Sequence, residues 1–143
     1  MNNHMELAFQ ALPENEAFAR MVISAFIVQA NPTMSVVSEV RTAVSEAVTN
    51  AIVHAYSGNT GRVVLRAHLN EEGVITIDVE DFGCGIDDIR QAMQPFYTSQ
   101  PDQERSGIGF SLMQSFMDEV RVYSSPNNGT TVRMTRRLED SAL

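Results

Sequence analysis

The stretch of residues 63–79, VVLRAHLNEEGVITIDV, decides the class of fold. On either side of the polar segment 70–73, apolar residues alternate with polar ones, and this period of two is typical of strands with one buried face. Two such runs joined by a short polar turn predict a β-hairpin, whose strands pair antiparallel. The stretch therefore predicts an antiparallel sheet in the middle of the chain.

The sequence before the hairpin predicts one strand and two helices. Residues 5–11 alternate and predict the strand, whereas residues 13–31 and 35–56 have the spacing of helices. Asn31 and Pro32 separate the two helices, because proline lacks the N–H that a helix needs. The apolar set of the first helix is Phe18, Met21, Val22, Ala25 and Phe26, and that of the second is Val37, Val40, Val44, Ala47, Val48, Ala51 and Ala55.

The sequence after the hairpin predicts two shorter helices and a second hairpin. A glycine-containing loop at 81–86 leads to a short helix at 87–93, which Pro95 must end. The polar segment 97–106 has no periodicity and predicts a loop, of the kind that is often functional in a compact domain. The remaining predicted elements are a helix at 109–117, with Leu112, Met113, Phe116 and Met117 inward, and strands at 120–124 and 130–138 around a turn at 126–129.

This order of elements predicts an α+β fold. We expect a two-layer α/β sandwich, with a mostly antiparallel sheet and the helices on one face. The absence of a repeat or a composition shift predicts a single domain over residues 1–143. The other face of the sheet is expected to be solvated and to carry Arg62, Arg66, His68, Asp78, Glu80, Arg121 and Arg133.

Composition and charge exclude several classes of site. The 143 residues include 18 acidic and 10 basic side chains, for a net charge of −8, and every basic residue is an arginine. A Walker-A loop, a Schiff-base enzyme and a Ser-Lys dyad all need lysine, so these are excluded. An acidic chain is also poorly suited to wrapping nucleic acid. No apolar run suits a membrane span, no signal peptide is apparent and Cys84 is the single cysteine, so we expect a cytoplasmic protein.

The first polar cluster lies on the second predicted helix. Glu46, Asn50 and His54 recur every four residues, and each step advances by only about 40° around a helix. They form one strip at the edge of the apolar stripe, which can be a plain solvated face. A carboxylate and an amide one turn apart can also act as a general base and an oxygen ligand for Mg²⁺.

The second cluster, Asp81-Phe82-Gly83-Cys84-Gly85, follows a strand. By the alternation of the strand, Asp81 falls on the core side, where an unpaired carboxylate would be costly. A purine amino group would be a suitable donor, and Gly83 and Gly85 would let a flat ring approach the backbone. The same residues can form a tight turn with a capping aspartate.

The third cluster comprises Arg105, Gly107 and Gly109, directly before a predicted helix. Free N–H groups and the positive end of the helix dipole suit a phosphate, and arginine adds a charged donor. A lone GxG is more often only a turn. Thr130 and Thr131 follow later and are in themselves ordinary strand residues.

The order of these clusters resembles the Bergerat (GHKL) ATP-binding superfamily over residues 46–131. Its gyrase-type members take a lysine from a further domain, and its histidine kinases carry a phosphoacceptor histidine on a helical hairpin; neither feature is found here. The segments 15–20 and 45–56 resemble the anti-sigma serine kinases, the sporulation (sigma F) type first and the general-stress (sigma B) type as the alternative.

The resemblance implies a role for each site residue. Glu46 would be the catalytic base, and Asn50 would hold Mg²⁺ on the phosphates of ATP, with a weaker role for His54. Asp81 would accept the adenine amino group. The other implied nucleotide-binding residues are Gly83, Gly85 and Thr130 at the base and Arg105, Gly107 and Gly109 at the phosphates, under a lid at 97–106.

The resemblance also implies partners. Such proteins bind a sigma factor or phosphorylate an anti-anti-sigma protein on serine, according to whether ATP or ADP is bound, and a homodimer through the first strand is expected. We expect Arg20, a lone cation among acids towards the end of the first helix, to contribute to partner binding. An ATP-gated sigma-binding module without kinase turnover is the competing hypothesis.

Overall fold

The computed structural model describes residues 1–56, 59–86, 93 and 109–138, and these contain one five-stranded sheet. Its strands are β1 (Asn3–Gln10), β2 (Arg62–Leu69), β3 (Val74–Asp81), β4 (Glu119–Ser124) and β5 (Thr130–Arg137). The strand order is β1-β2-β3-β5-β4, and every neighbouring pair is antiparallel. Both predicted hairpins and the α+β class are therefore confirmed.

Helices cover one face of the sheet. They are α1 (Glu14–Ile27), α2 (Met34–Val53) and α3 (Gly109–Phe116), with a 3₁₀ turn at Val28–Ala30. Thr33 caps α2, since its hydroxyl accepts a hydrogen bond from the Val36 N–H at 3.2 Å. The predicted helix at 87–93 and loop at 97–106 lie outside the described residues, apart from Met93.

The second helix ends earlier than predicted, at Val53 instead of Tyr56. Ala55 and Tyr56, which were predicted to be helical, bond to neighbouring segments instead of extending the helix. The Ala55 carbonyl accepts a hydrogen bond from the Cys84 N–H at 2.8 Å. The Tyr56 hydroxyl donates to the Arg62 carbonyl at 2.6 Å. These contacts bring the end of α2 against the loop that follows β3.

The core lies between the sheet and α2. All seven apolar residues predicted for the second helix are buried, and Val40, Val44 and Val48 are completely so. The first helix differs, because it is apolar on two faces and its periodicity cannot show which of them packs. Phe18 and Met21, predicted as part of its apolar set, are 48% and 71% exposed. The face of α1 that packs carries Ala19, Ile23, Phe26 and Ile27.

The other face of the sheet is polar, as predicted. Arg66 lies across β1–β3, with its guanidinium 2.9 Å from Glu6 and 2.7 Å from Glu80. Arg133 bonds both carboxylate oxygens of Asp78 at 2.8 Å. None of the seven residues predicted for this face is buried. Among the described helices, none has an apolar stretch long enough to cross a bilayer.

Candidate active site

Asp81 ends β3 at the border of the core. It lies directly opposite Thr130 of β5 and Val63 of β2, and opposed residues project from the same face of a sheet. The Asp81 side chain is therefore on the helix side, where the residue is only 7% exposed. The prediction that Asp81 falls on the core side is confirmed.

The Asp81 carboxylate has two backbone donors. Its Oδ1 accepts the Gly83 N–H at 3.0 Å, and the Thr130 N–H also donates to the carboxylate. Burial raises the pKa of Asp81 above its ordinary value, because desolvation outweighs the lowering by these two donors. A ligand that donates to this carboxylate would offset part of the cost of its burial.

The packing of the loop after Asp81 requires Gly83 and Gly85, apart from the role predicted for them beside a ring. We expected glycine to let a flat ring approach the backbone. That expectation stays a prediction. A Cβ at Gly83 would lie 2.0 Å from the Ala55 carbonyl oxygen, and one at Gly85 would lie 2.0 Å from that of Ser125. Gly85 also has a positive φ of 77°. Both glycines are thus required by the packing of the loop between the end of α2 and the β4–β5 turn.

Gly109 of the third predicted cluster lies beside Glu46 and Asn50 of the first. Glu46 and Asn50 are half-buried on α2, and Gly109 is the first residue of α3. A Cβ at Gly109 would lie 3.3 Å from Glu46 Oε2 and 3.5 Å from Asn50 Nδ2. The first described turn of α3 therefore lies against a carboxylate and an amide.

The remaining predicted site residues fall at three places. Thr130 begins β5, and its hydroxyl lies 2.8 Å from Ser124 Oγ. His54 is half-buried just after α2, and its carbonyl accepts the Cys84 thiol at 3.5 Å. Arg105 and Gly107 lie outside the described residues. Asp81 and Thr130 therefore form one end of the candidate site, and Glu46, Asn50 and Gly109 form the other.

Comparison with known sequences identifies the family. Residues 9–136 match the histidine kinase-like ATPase domain. The anti-sigma F factor of Priestia megaterium is 49% identical over 142 residues, which cover 99% of this chain and 97% of that protein. The chain belongs to the anti-sigma F factor family. Its predicted resemblance to the anti-sigma kinases is thereby confirmed.

Solved structures support the same fold. The structure of the RsbU and RsbW domains of a Mycobacterium tuberculosis protein superposes with a TM-score of 0.70 at 20% identity, over 95% of this chain and 32% of that chain. Full-length ShkA, solved in complex with AMPPNP, superposes with a TM-score of 0.61 at 15% identity, over 91% of this chain and 30% of that one. At these identities, the likeness concerns the fold alone.

Tyr56 is a residue of this anti-sigma F family member that the sequence did not single out for the site. Besides its bond to the Arg62 carbonyl, its hydroxyl accepts the Phe82 N–H at 2.7 Å. It thus ties the end of α2 to β2 and to the loop beside Asp81. The signal in the sequence is a glycine five residues later: a Cβ at Gly61 would lie 2.2 Å from the Tyr56 ring.

Arg20 is placed differently from the prediction. It lies in the middle of α1, not towards its end, and its guanidinium is 3.6 Å from the Glu16 carboxylate, so it is not a lone cation. The same Glu16 oxygen accepts the Ser45 hydroxyl of α2 at 2.7 Å. The Arg20 side chain is nevertheless 41% exposed, and a half-exposed ion pair contributes little stability.

Proposed function

We propose that this protein is an ATP-dependent protein serine kinase and anti-sigma factor. It would bind a sporulation sigma factor of the sigma F type and phosphorylate the anti-anti-sigma protein that opposes it. The single observation that carries the enzymatic part is the meeting of Glu46, Asn50 and Gly109, which brings a base and an oxygen ligand together at the first described turn of α3. Membership of the anti-sigma F factor family supports the regulatory part.

The phosphate end of the site would carry the chemistry. The Glu46 carboxylate would take the proton of the incoming serine hydroxyl while the serine oxygen attacks the γ-phosphorus and ADP leaves. The N–H groups at the start of α3 would stabilise negative charge on the phosphates. Arg105 and Gly107 are assigned to the same end from the sequence. Catalysis by this set would rest on positioning and electrostatics.

The residues present fit a magnesium ion that is shared with ATP. Asn50 and Glu46 offer hard oxygen atoms at the phosphate end, while the described residues contain no group of three or more His, Cys, Asp or Glu side chains that could hold a metal. Mg²⁺ commonly takes one or two protein oxygens and completes its shell with phosphates and water. When bound, it would neutralise phosphate charge, and Asn50 would hold it.

The other end of the site would bind adenine. Asp81 is a buried acceptor whose pKa is raised despite its two backbone donors, and a purine 6-amino group would supply a further N–H donor to this carboxylate. Thr130 lies beside it, and Gly83 and Gly85 shape the adjoining loop. ATP would therefore extend from its base beside Asp81 of β3 and Thr130 of β5 to its phosphates at the start of α3.

The kinase proposal is tested by incubating the protein with Mg²⁺, labelled ATP and the cognate anti-anti-sigma protein. Label on serine of the substrate, lost in Glu46→Gln while ATP binding is retained, is the expected result. ATP binding without any phosphoserine would favour the competing function, an ATP-gated sigma-binding module. Pull-downs with sigma F-type and sigma B-type factors in parallel decide between the sporulation and general-stress types.

Partner binding is proposed to involve Arg20 and a homodimer. Because the Arg20–Glu16 ion pair is half-exposed and contributes little stability, the guanidinium could leave Glu16 and bind a carboxylate of a partner. Arg20→Glu should weaken binding of both partners, whereas Arg41→Glu, an equal charge change at an exposed position of α2, should not. Unchanged affinities in Arg20→Glu would refute this role. Sedimentation of the full chain tests the homodimer. Its proposed contact is the outer edge of β1, which pairs with no other strand among the described residues.

A further inference from the structure

A row of three polar side chains crosses the sheet at the adenine end of the proposed site. Ser124 of β4 lies opposite Thr130 of β5, which lies opposite Asp81 of β3. Opposed residues share a face, so all three side chains project towards the helices. The next residue of the row, Val63 on β2, is completely buried. The polar side chains of the row therefore lie at the border of the apolar core.

The hydrogen bonds of Ser124 determine where its proton points. The Ile86 N–H donates to Ser124 Oγ at 2.8 Å, and Ser124 Oγ donates to the Gly129 carbonyl at 2.8 Å. A serine hydroxyl has a single proton and two lone pairs. Because the proton is used on Gly129, the 2.8 Å bond between Ser124 and Thr130 must take its proton from the Thr130 hydroxyl. Ser124 is then fully satisfied, with one bond donated and two accepted.

The Thr130 hydroxyl is consequently an acceptor towards any ligand. Its only proton is engaged by Ser124, so what remains on its oxygen is lone pairs. The neighbouring Asp81 carboxylate offers further lone pairs. A 6-amino group placed between these two acceptors has one N–H for each of them, whereas a 6-oxo group at the same place has no proton to donate to either.

We propose that Ser124 is a positioning residue for base selectivity, because it fixes the Thr130 hydroxyl as an acceptor and so favours a 6-amino over a 6-oxo purine. The proposal rests on the proposed function, since it requires the purine of a nucleotide to lie beside Asp81 and Thr130. Ser124 itself need not touch the ligand. Its removal would free the Thr130 proton, and the hydroxyl could then donate to an oxo group.

The test compares ATP with inosine triphosphate (ITP), which carries the 6-oxo group. Dissociation constants of both, with Mg²⁺, are measured by competition against labelled ATP for the full chain. In Ser124→Val, the preference for ATP over ITP should fall by about 5-fold, the factor supported by one neutral hydrogen bond. Ser124→Thr introduces a side chain of the same shape as valine but keeps the hydroxyl, so this variant should retain the preference for ATP. Ser125→Ala is the matched control, since its hydroxyl bonds Asn128 and not Thr130.

A double-mutant cycle separates base selectivity from a purely structural role. In a Thr130→Val background, Ser124→Val should produce no further change in the ATP-to-ITP ratio. The proposal is overturned if Ser124→Val weakens ATP and ITP equally, if its effect persists without the Thr130 hydroxyl, or if the wild type does not prefer ATP. Circular dichroism verifies folding, and if Ser124→Val does not fold, Ser124→Ala takes its place. A wild type that binds no nucleotide overturns the proposed function as well, so the two failures are distinguishable.

Discussion

Substituting Gly109 by alanine separates the stability of this protein from its proposed catalysis. The added Cβ would lie 3.3 Å from Glu46 Oε2 and between 3.5 and 3.6 Å from the two terminal atoms of the Asn50 amide. The first distance is tighter than an ordinary van der Waals contact, so the Glu46 side chain must shift by a few tenths of an ångström. The substitution leaves the backbone N–H of residue 109 in place.

The expected effects on stability and activity have opposite signs. Alanine is favoured over glycine in a helix by at most about 1 kcal/mol, so the free energy of unfolding should stay the same or rise slightly. Displacing a catalytic group by about 1 Å costs roughly 100-fold in rate, so a shift of a few tenths should lower kcat on the order of 5-fold. ATP affinity should change little, because the substitution removes no donor from the phosphate end.

The assay is phosphorylation of the anti-anti-sigma protein at saturating Mg²⁺-ATP, together with urea unfolding. Ser115→Ala, at an exposed position of the same helix, is the control that gains helix propensity without approaching Glu46. An unchanged kcat in a normally folded Gly109→Ala variant would refute the claim that the contact between α3 and Glu46 sets the geometry of transfer. A loss of stability would refute the packing argument.

Three further predictions follow from contacts of single residues. Glu46→Gln should keep ATP affinity while phosphate transfer falls by about 100-fold or more, as measured with labelled ATP; normal transfer would remove Glu46 as the base. Asp81→Asn should abolish nucleotide binding. Because the folded-state pKa of Asp81 is raised, protonation of its carboxyl favours the folded state. This contribution to the free energy of unfolding is present below the ordinary carboxyl pKa and is lost as the pH rises through the raised value. The unliganded wild type should thus lose stability relative to Asp81→Asn across that window in thermal melts, and parallel melting curves would contradict this. Tyr56→Phe should lower the free energy of unfolding by about 1 to 2 kcal/mol, because it removes the hydroxyl that bonds Arg62 and Phe82, and an unchanged urea midpoint would count against that role.

The sequence could predict those features that depend on local pattern. Strict alternation over residues 74–80 places Asp81 on the core side, and the 3.6-residue period of α2 places its apolar stripe inward, as found. The period of α1 could not show which face packs, because both faces are apolar and only contact with α2 and the sheet decides between them. The end of α2 was also beyond local pattern, since the chain leaves the helix to bond a loop nearly thirty residues later.

The two ends of the proposed site form by different means, and α2 is the element that relates them. The adenine end depends on strand register, which sets Ser124, Thr130 and Asp81 in one row. The phosphate end depends on the approach of two helices, where Gly109 meets Glu46 and Asn50. The contacts that relate the two ends lie just beyond α2: Ala55 bonds Cys84, and Tyr56 bonds Phe82.

The segment directly after α2 therefore determines how the two ends of the proposed site are placed relative to each other. The loop beside Asp81 is fixed by hydrogen bonds to the residues that follow Asn50 and His54 on the same segment. An insertion or deletion that lengthens or shortens this segment would move the adenine end relative to Glu46. Such a change should therefore alter ATP affinity and transfer rate together, whereas Gly109→Ala alters the rate alone.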